Sequence, residues 1–277
     1  MTTTLRPSGP LQQSEGGARS RPYEVRVNSR RVGTLLIAAG TASGPEAGEI
    51  RDLAIDEPDR RRGRATVAAL AAEEVLRGWG CRRVRISVPA ASRGGLRLAA
   101  ALGYAEDGRN MAKDLPATPP ELSEGVRGRP MTEAEYAVWN ARAREAYAAS
   151  WEARGVGPEA ARARAEADHD GRLRQGLDTP GVTLAVLESA GTPVGHLWLA
   201  PRGEGGAGAY VYDVAVAEEY RGRGHGRDLM LLAEREALAR GHRVIALHVF
   251  AGNTPALRLY ESLGYRTTGI HFSKELI

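Results

Sequence analysis

Apolar and polar residues alternate from Tyr23 to Val27, and with the turn at Asn28-Ser29 and the β-like runs Val32 to Ala38 and Glu49 to Ile55 they predict three strands in a meander. Arg60 to Ala65 leads into an alanine-rich run with helical spacing that reaches Trp79 and stops at Gly80. Arg83 to Val88 reads as a strand, Arg93 to Leu102 as a helix ended by Gly103, and Tyr104 to Leu115 as a last strand. Pro116, Pro119 and Pro120 mark a linker over residues 117–124. Beyond it, Thr132-Glu-Ala-Glu135 has capping-box form, in which the Thr hydroxyl and the Glu carboxylate satisfy free N–H groups at a helix start. Tyr136, Trp139, Ala143, Tyr147 and Trp151 then lie along one helix face, and Pro158 opens a second helix running to about Gln175. Strands are predicted at Val182 to Glu188, Val194 to Ala200 and Ala209 to Val216, with a glycine-rich loop from Pro201 to Gly208. A helix from Arg227 to Arg240, a strand from Arg243 to Phe250, a helix from Thr254 and a strand from Tyr265 to Leu276 complete a mixed α/β pattern. Residues 1–22, rich in Thr, Ser, Gly, Gln and Pro, read as a disordered leader.

The pattern occurs twice. Shifted by 161 positions, the separation of Arg221 from Arg60, Asp213 falls on Asp52, Gly224 on Gly63, Gly241 on Gly80 and Leu263-Gly264-Tyr265 on Leu102-Gly103-Tyr104. Upstream, Val194-Gly195-His-Leu-Trp-Leu-Ala200 matches Val32-Gly33-Thr-Leu-Leu-Ile-Ala38 at a shift of 162. The chain is therefore a tandem duplication, with a first domain over residues 23–116 and a complete second one over 125–277. The differences carry more information than the identities. Asn253 is matched by Ser92, Tyr260 by Ala99, His248 by Ser87 and Gly226 by Ala65, and the first copy lacks the opening strand and two helices of residues 125–181. It reads as truncated and degenerate.

Candidate chemistry centres on Tyr220-Arg221-Gly222-Arg223-Gly224-His225-Gly226, between a strand and a helix. Glycines there allow a close backbone approach, and the free N–H groups and positive dipole end of a helix suit a phosphate or pyrophosphate. A Walker loop needs Lys-Ser/Thr after its last glycine, where this chain has Arg227 and Asp228, and three glycines each two apart do not make a dinucleotide G-x-G-x-x-G. Arg221-x-x-Gly224-x-Gly226 resembles the acetyl-CoA pyrophosphate loop of the GNAT acetyltransferase superfamily. Asn253-x-x-Ala256-x-x-x-Tyr260-x-x-x-Gly264-Tyr265 is similar to the same superfamily's later helix. The layout of a worn domain before an intact one resembles, in outline, that of the mycothiol synthase family.

That resemblance implies two tandem GNAT acyl-CoA N-acyltransferase domains and an acetyl-CoA-dependent transfer of acetyl to a primary amine by direct attack on the thioester. It implies that Val214, Ala215 and Val216 pair with the pantetheine arm and supply an oxyanion N–H, and that Arg221, Gly222, Arg223, Gly224, His225, Gly226 and Arg227 hold the pyrophosphate. Tyr260 is the expected general acid for the CoA thiolate, against the alternative of a core tyrosine. Asn253 is either a helix cap or a CoA contact. His248, as a residue type whose unperturbed pKa suits proton abstraction at neutral pH, is the candidate base, against a core histidine or a water chain with no single base. Asp213 lies near, but its recurrence as Asp52 points to a structural role. The aromatic face from Tyr136 to Trp151 is either core or the wall of an acceptor pocket. The rival class is a non-catalytic acetyl-CoA sensor or interaction protein.

Composition narrows the partners. With 38 basic and 34 acidic residues interspersed, no single-sign field favours nucleic acid. Nearly all the basic residues are arginine, Lys113 and Lys274 being the only lysines. Cys81 is the only cysteine, no apolar run has the length of a membrane span, and no cluster has metal-ligand spacing. The expectation is a cytoplasmic protein without a metal or a membrane, acting on an amine-bearing small molecule or peptide.

Overall fold

The computed structural model describes residues 2–14, 16–40, 46–153, 156–203 and 208–276, so part of the loop expected at 201–208 lies outside the described residues. In chain order the elements are β1 (Thr3–Pro7), β2 (Gln12–Gln13), β3 (Arg19–Val27), β4 (Arg30–Ala39), β5 (Ala47–Ile55), α1 (Arg64–Gly78), β6 (Arg83–Pro89), α2 (Arg93–Ala101) and β7 (Ala105–Asp114). They continue as β8 (Val126–Pro130), α3 (Glu133–Glu152), α4 (Pro158–Arg172), β9 (Thr183–Ser189), β10 (Thr192–Pro201), β11 (Ala209–Val216), α5 (His225–Ala239), β12 (Val244–Phe250), α6 (Thr254–Ser262) and β13 (Arg266–Glu275). The helix after the glycine-rich turn thus begins at His225 rather than Arg227. The chain forms two compact units, one of residues 1–108, 150–157 and 269–277, the other of residues 109–149 and 158–268.

In the first unit β1, β3, β4 and β5 pair antiparallel in that order, and β5 runs parallel to β6 over Ala47–Ile50. Val25, Ile37 and Val84 of the sheet bury against Ala68, Ala69, Ala72 and Leu76, the apolar stripe of α1. A side chain on Gly48 of β5 would begin 2.4 Å from Leu76 Cδ2, so its absence sets how closely α1 lies on the sheet. The expected disordered leader contains β1. Its five residues pair with Tyr23–Val27 and its Leu5 packs on the core, so a segment too short and polar to read alone is held by its partner strand. The first repeat therefore has an opening strand, and β2 alone lies between β1 and β3 where the second repeat has α3 and α4.

In the second unit β8, β9, β10 and β11 pair antiparallel, and β11 runs parallel to β12. Leu197, Leu199 and Val211 bury against Leu229, Met230 and Ala233 of α5, while Leu184, Val186 and Trp198 bury with Trp139 of α3 and Leu173. The capping box forms as expected, with Glu135 N donating to Thr132 Oγ1 at 3.3 Å and Thr132 N to Glu135 Oε2 at 2.8 Å. The linker is not loose, since Ser123 N donates to Asp228 Oδ1 at 3.0 Å and Arg235 Nη1 to Pro120 O at 3.3 Å.

The expected boundaries at 116 and 125 need correcting, because the repeats trade their last strands. Residues 109–114 of β7 belong to the second unit, where Met111 and Leu115 join its core, and residues 269–275 of β13 pair antiparallel with β6 of the first. The two lysines mark the exchange. Lys113 Nζ lies 2.7 Å from both carboxylate oxygens of Glu234 on α5, and Lys274 Nζ lies 2.8 Å from Glu73 Oε2 on α1. Both glutamates are buried, and Tyr104 OH donates to Glu73 Oε1 at 2.9 Å. Removing one partner of a buried pair typically costs about 3–5 kcal/mol, because the other charge stays buried, whereas apolar replacement of both is often neutral. Lys113→Met is therefore expected to lower the unfolding free energy by about 3 kcal/mol. Lys113→Met combined with Glu234→Leu should recover most of it, with urea unfolding as the measurement.

Candidate active site

Parallel strands β11 and β12 pair at only three positions, Ala209↔Ile245, Tyr210↔Ala246 and Val211↔Leu247, although both continue further. The reason lies on the other side of β11. Trp198 of β10 faces Asp213 while Leu199 faces Val211, so Tyr212 is an extra residue, a bulge that bends its strand. From there β11 follows β10, Val214 opposite Leu197 and Val216 opposite Gly195, and its pairing with β12 ends. The result is a strand edge from Val214 to Val216 whose backbone can pair with an extended ligand, as an added strand would.

That edge runs into the glycine-rich turn. Gly222 and Gly224 have φ of 76° and 89°, left-handed values that glycine adopts without strain, and Gly224 is the N-cap of α5. No side chain caps this helix start, which leaves first-turn N–H groups and the dipole's positive end for an anion. The arginines are anchored around it. Arg221 Nε donates to Val216 O at 3.4 Å, Arg223 stacks 5.6 Å over Tyr220, and Arg227 Nη2 donates to Ser262 Oγ at 2.8 Å. The His225 side chain is buried beside Asp228, so this residue has only its backbone to offer a ligand. A side chain at Gly226 would begin 3.2 Å from Leu259 Cδ2, a close approach that the Leu259 side chain would have to yield to.

Tyr260 on α6 is buried in the cluster that also takes Val214 and Val216, with Tyr265 at 5.9 Å. Burial, and after it the Asp213 carboxylate, push its phenol above its ordinary pKa, so it is fully protonated at neutral pH. His248 follows the last paired residue of β12, its Nδ1 2.9 Å from Asn110 Oδ1 and its ring 5.0 Å from Phe250. Asn253 is exposed and turned onto its own helix, Oδ1 accepting from Ala256 N at 3.2 Å. Ser92 does the same for Gly95 N at 3.3 Å in the first repeat, so the shared role is the cap.

A second group stands beside the edge on the α3 side. Asp213 Oδ2 accepts from Trp139 Nε1 at 2.9 Å and lies 3.0 Å from His196 Nε2. Burial alone would raise this carboxyl, but the bonds from His196 and Trp139 and the Val214 N–H outweigh it and hold the group below the usual carboxylate range. Trp198 packs edge-on to Trp139 at 5.5 Å and stacks on Tyr212 at 5.0 Å. His169, its pKa lowered by burial and then by Arg144, lies 5.4 Å from Trp198. The aromatic face of α3 is thus core and also a wall of this group. Its counterpart in the first repeat, Asp52, is exposed at φ 52°, and His196 is matched there by Thr34, so the surroundings of the two carboxylates differ. That His/Thr difference was the available signal, and the change of shift from 161 to 162 obscured it.

The first repeat's own turn is altered. Asp59 and Arg64 are buried and ion-paired, Arg30 donates twice to the same carboxylate at 2.8 Å, and Arg61 takes φ 58° where the second repeat has Gly222. The turn supplies its own anion.

The model of the Acetyltransferase (GNAT) family matches residues 5–104 and again residues 137–265. An uncharacterized N-acetyltransferase, YycN, of Bacillus subtilis is 36% identical over 110 residues, 38% of this chain and 68% of that one. The mycothiol acetyltransferase of Thermobispora bispora is 38% identical over 173 residues, 57% of this chain, which spans about half (51%) of that relative's length. A GCN5-related N-acetyltransferase of Sphaerobacter thermophilus superposes with a TM-score of 0.60 at 21% identity, covering 92% of this chain and 80% of that one, a likeness of fold. No helix among the described residues is long and apolar enough to cross a membrane.

The cap assignment has a measurable consequence. Asn253→Ala is expected to cost about 1 kcal/mol of stability and Asn253→Ser much less. Acetyl-CoA affinity, read by calorimetry, should stay unchanged in both.

Proposed function

The chain belongs to the acetyltransferase (GNAT) family, and from that premise we propose that its second repeat transfers acetyl from acetyl-CoA to a primary amine by direct attack on the thioester. The observation that carries this reading is the parting of β11 from β12 beside an uncapped helix start. Pantetheine pairs with Val214–Val216, a backbone N–H of that segment faces the thioester oxygen, and the pyrophosphate lies on the first turn of α5 within reach of Arg221, Arg223 and Arg227. One oxyanion donor of this kind is worth about 10²–10³ in rate. Tyr260, buried and protonated, gives its proton to the departing thiolate. His248, beyond the last paired residue of β12, is the base expected on sequence grounds.

The first repeat is read as non-productive. It has Ala99 where the second has Tyr260, an ion cluster of Asp59, Arg64 and Arg30 in its turn and, among the described residues, no helices in the place of α3 and α4. Its contribution to the second repeat is β7.

Two measurements test the proposal. Tyr260→Phe should lower kcat by about 10²–10⁴ with the acetyl-CoA dissociation constant unchanged, and an unaltered rate removes Tyr260 as the acid. Calorimetry should give one equivalent of acetyl-CoA per chain, and two equivalents would make both repeats binding domains. The acceptor panel comprises cysteinyl glycosides, included because of the mycothiol relative, with polyamines, aminoglycosides and peptide N-termini. Thiol release with none of them, despite tight acetyl-CoA binding, would make the protein a sensor.

A further inference from the structure

We propose that His196, held by Asp213, is the base that takes the proton from the acceptor amine, and that the acceptor enters on the α3 side of β11. The inference rests on the acetyltransferase reading and replaces its base.

Three features of the second unit support it. The first is position. His196 lies on β10 directly across from Ala215, the middle residue of the Val214–Val216 edge, so one strand spacing of about 4.8 Å separates their backbones. Tyr260 packs with that edge, and His196 lies on the sheet face turned to α3. Acid and base thus flank the edge along which the thioester would lie.

The second is the proton inventory. An ionised carboxylate only accepts, so beside Asp213 Oδ2 the neutral form of His196 carries its proton on Nε2 and its lone pair on Nδ1. The same oxygen accepts the Trp139 indole N–H, which fixes the carboxylate from a helix that only the second repeat has. Asp213 stabilises the imidazolium once it forms, as the carboxylate does in a Ser-His-Asp triad. His248 Nδ1, for comparison, lies 2.9 Å from an amide oxygen, Asn110 Oδ1. The half-exposed His196 ring can pass its proton on to water.

The third is the repeat itself, which acts as a control. Where the second copy has His196, Trp198, Tyr212 and Tyr260, the first has Thr34, Leu36, Arg51 and Ala99, and its Asp52 is exposed. The dyad and its aromatic surround therefore occur only in the copy that carries the phenol.

The step balances. Nδ1 takes a proton from R–NH3⁺, the freed amine forms a C–N bond to the thioester carbon, and collapse of the tetrahedral adduct breaks the C–S bond. The thiolate takes the Tyr260 proton, the amide nitrogen returns one to that phenolate, and the imidazolium releases its own to solvent.

The test uses the full chain and the best amine of the acceptor panel. His196→Ala should lower kcat at least a hundredfold with the acetyl-CoA dissociation constant unchanged, and added imidazole should restore at least tenfold of it. A wild-type rate in His196→Ala, or imidazole rescue of His248→Ala instead, overturns the assignment while leaving the acetyltransferase reading intact. Failure of the wild-type protein on every amine overturns both. Nitrogen-15 NMR of the imidazoles supplies an arm that needs no acceptor. His196 should be the Nε2–H tautomer and should lose that preference in Asp213→Asn, whereas an Nδ1–H tautomer in the wild type removes the dyad. Asp213 is a positioning residue, and this signature is one that loss of packing alone does not produce.

Discussion

Everything in the second unit that bears on chemistry depends on one extra residue. Tyr212 interrupts the match between β10 and β11, and β11 can keep only one of its neighbours beyond that point. By staying with β10 it leaves β12 and opens an edge that would otherwise be a buried ladder. An open edge invites association with other chains, and its position beside an uncapped helix start restricts what can use it to an extended ligand that ends in an anion. The same bulge sets Asp213 opposite Trp198 and within reach of His196 and Trp139.

The first repeat has a corresponding irregularity, a register shift between Thr34 and Leu36, and its β5 and β6 also pair over only four residues. The geometry of the opening has survived duplication, while the groups around it have changed. At the turn the Asp59 carboxylate is shared by two guanidiniums, those of Arg64 and Arg30, and Ala99 stands where the second repeat has Tyr260. Fold and chemistry therefore come apart within one chain, since backbone register preserves the first and a few side chains determine the second.

The traded strands give the first repeat a reason to persist. Met111, Lys113 and Leu115 complete the core of the second unit, and Asn110 on the same strand holds His248. In return, Phe272, Lys274 and Leu276 pack in the first. Each buried glutamate receives its lysine from the other repeat's terminal strand, so neither repeat's sequence is self-sufficient.

The sequence by itself determined the mixed α/β order, the duplication, the glycine turn and the Tyr260 helix, because each is written in local spacing or in self-similarity. It also named Asn253 as a possible cap and His248 as a neighbour of the edge. Tertiary structure decided the rest. The copies are alike enough that Lys113 and Lys274 fit either glutamate, and only the paired strands show which one each takes. The leader's Thr3–Pro7 is a strand because Tyr23–Val27 is there to pair with it. The His196–Asp213–Trp139 group joins β10, β11 and α3, residues 57 and 74 positions apart for its outer pairs, so no local pattern could announce it. Such a contact is set by packing across strands and helices, and packing is what a linear pattern does not record.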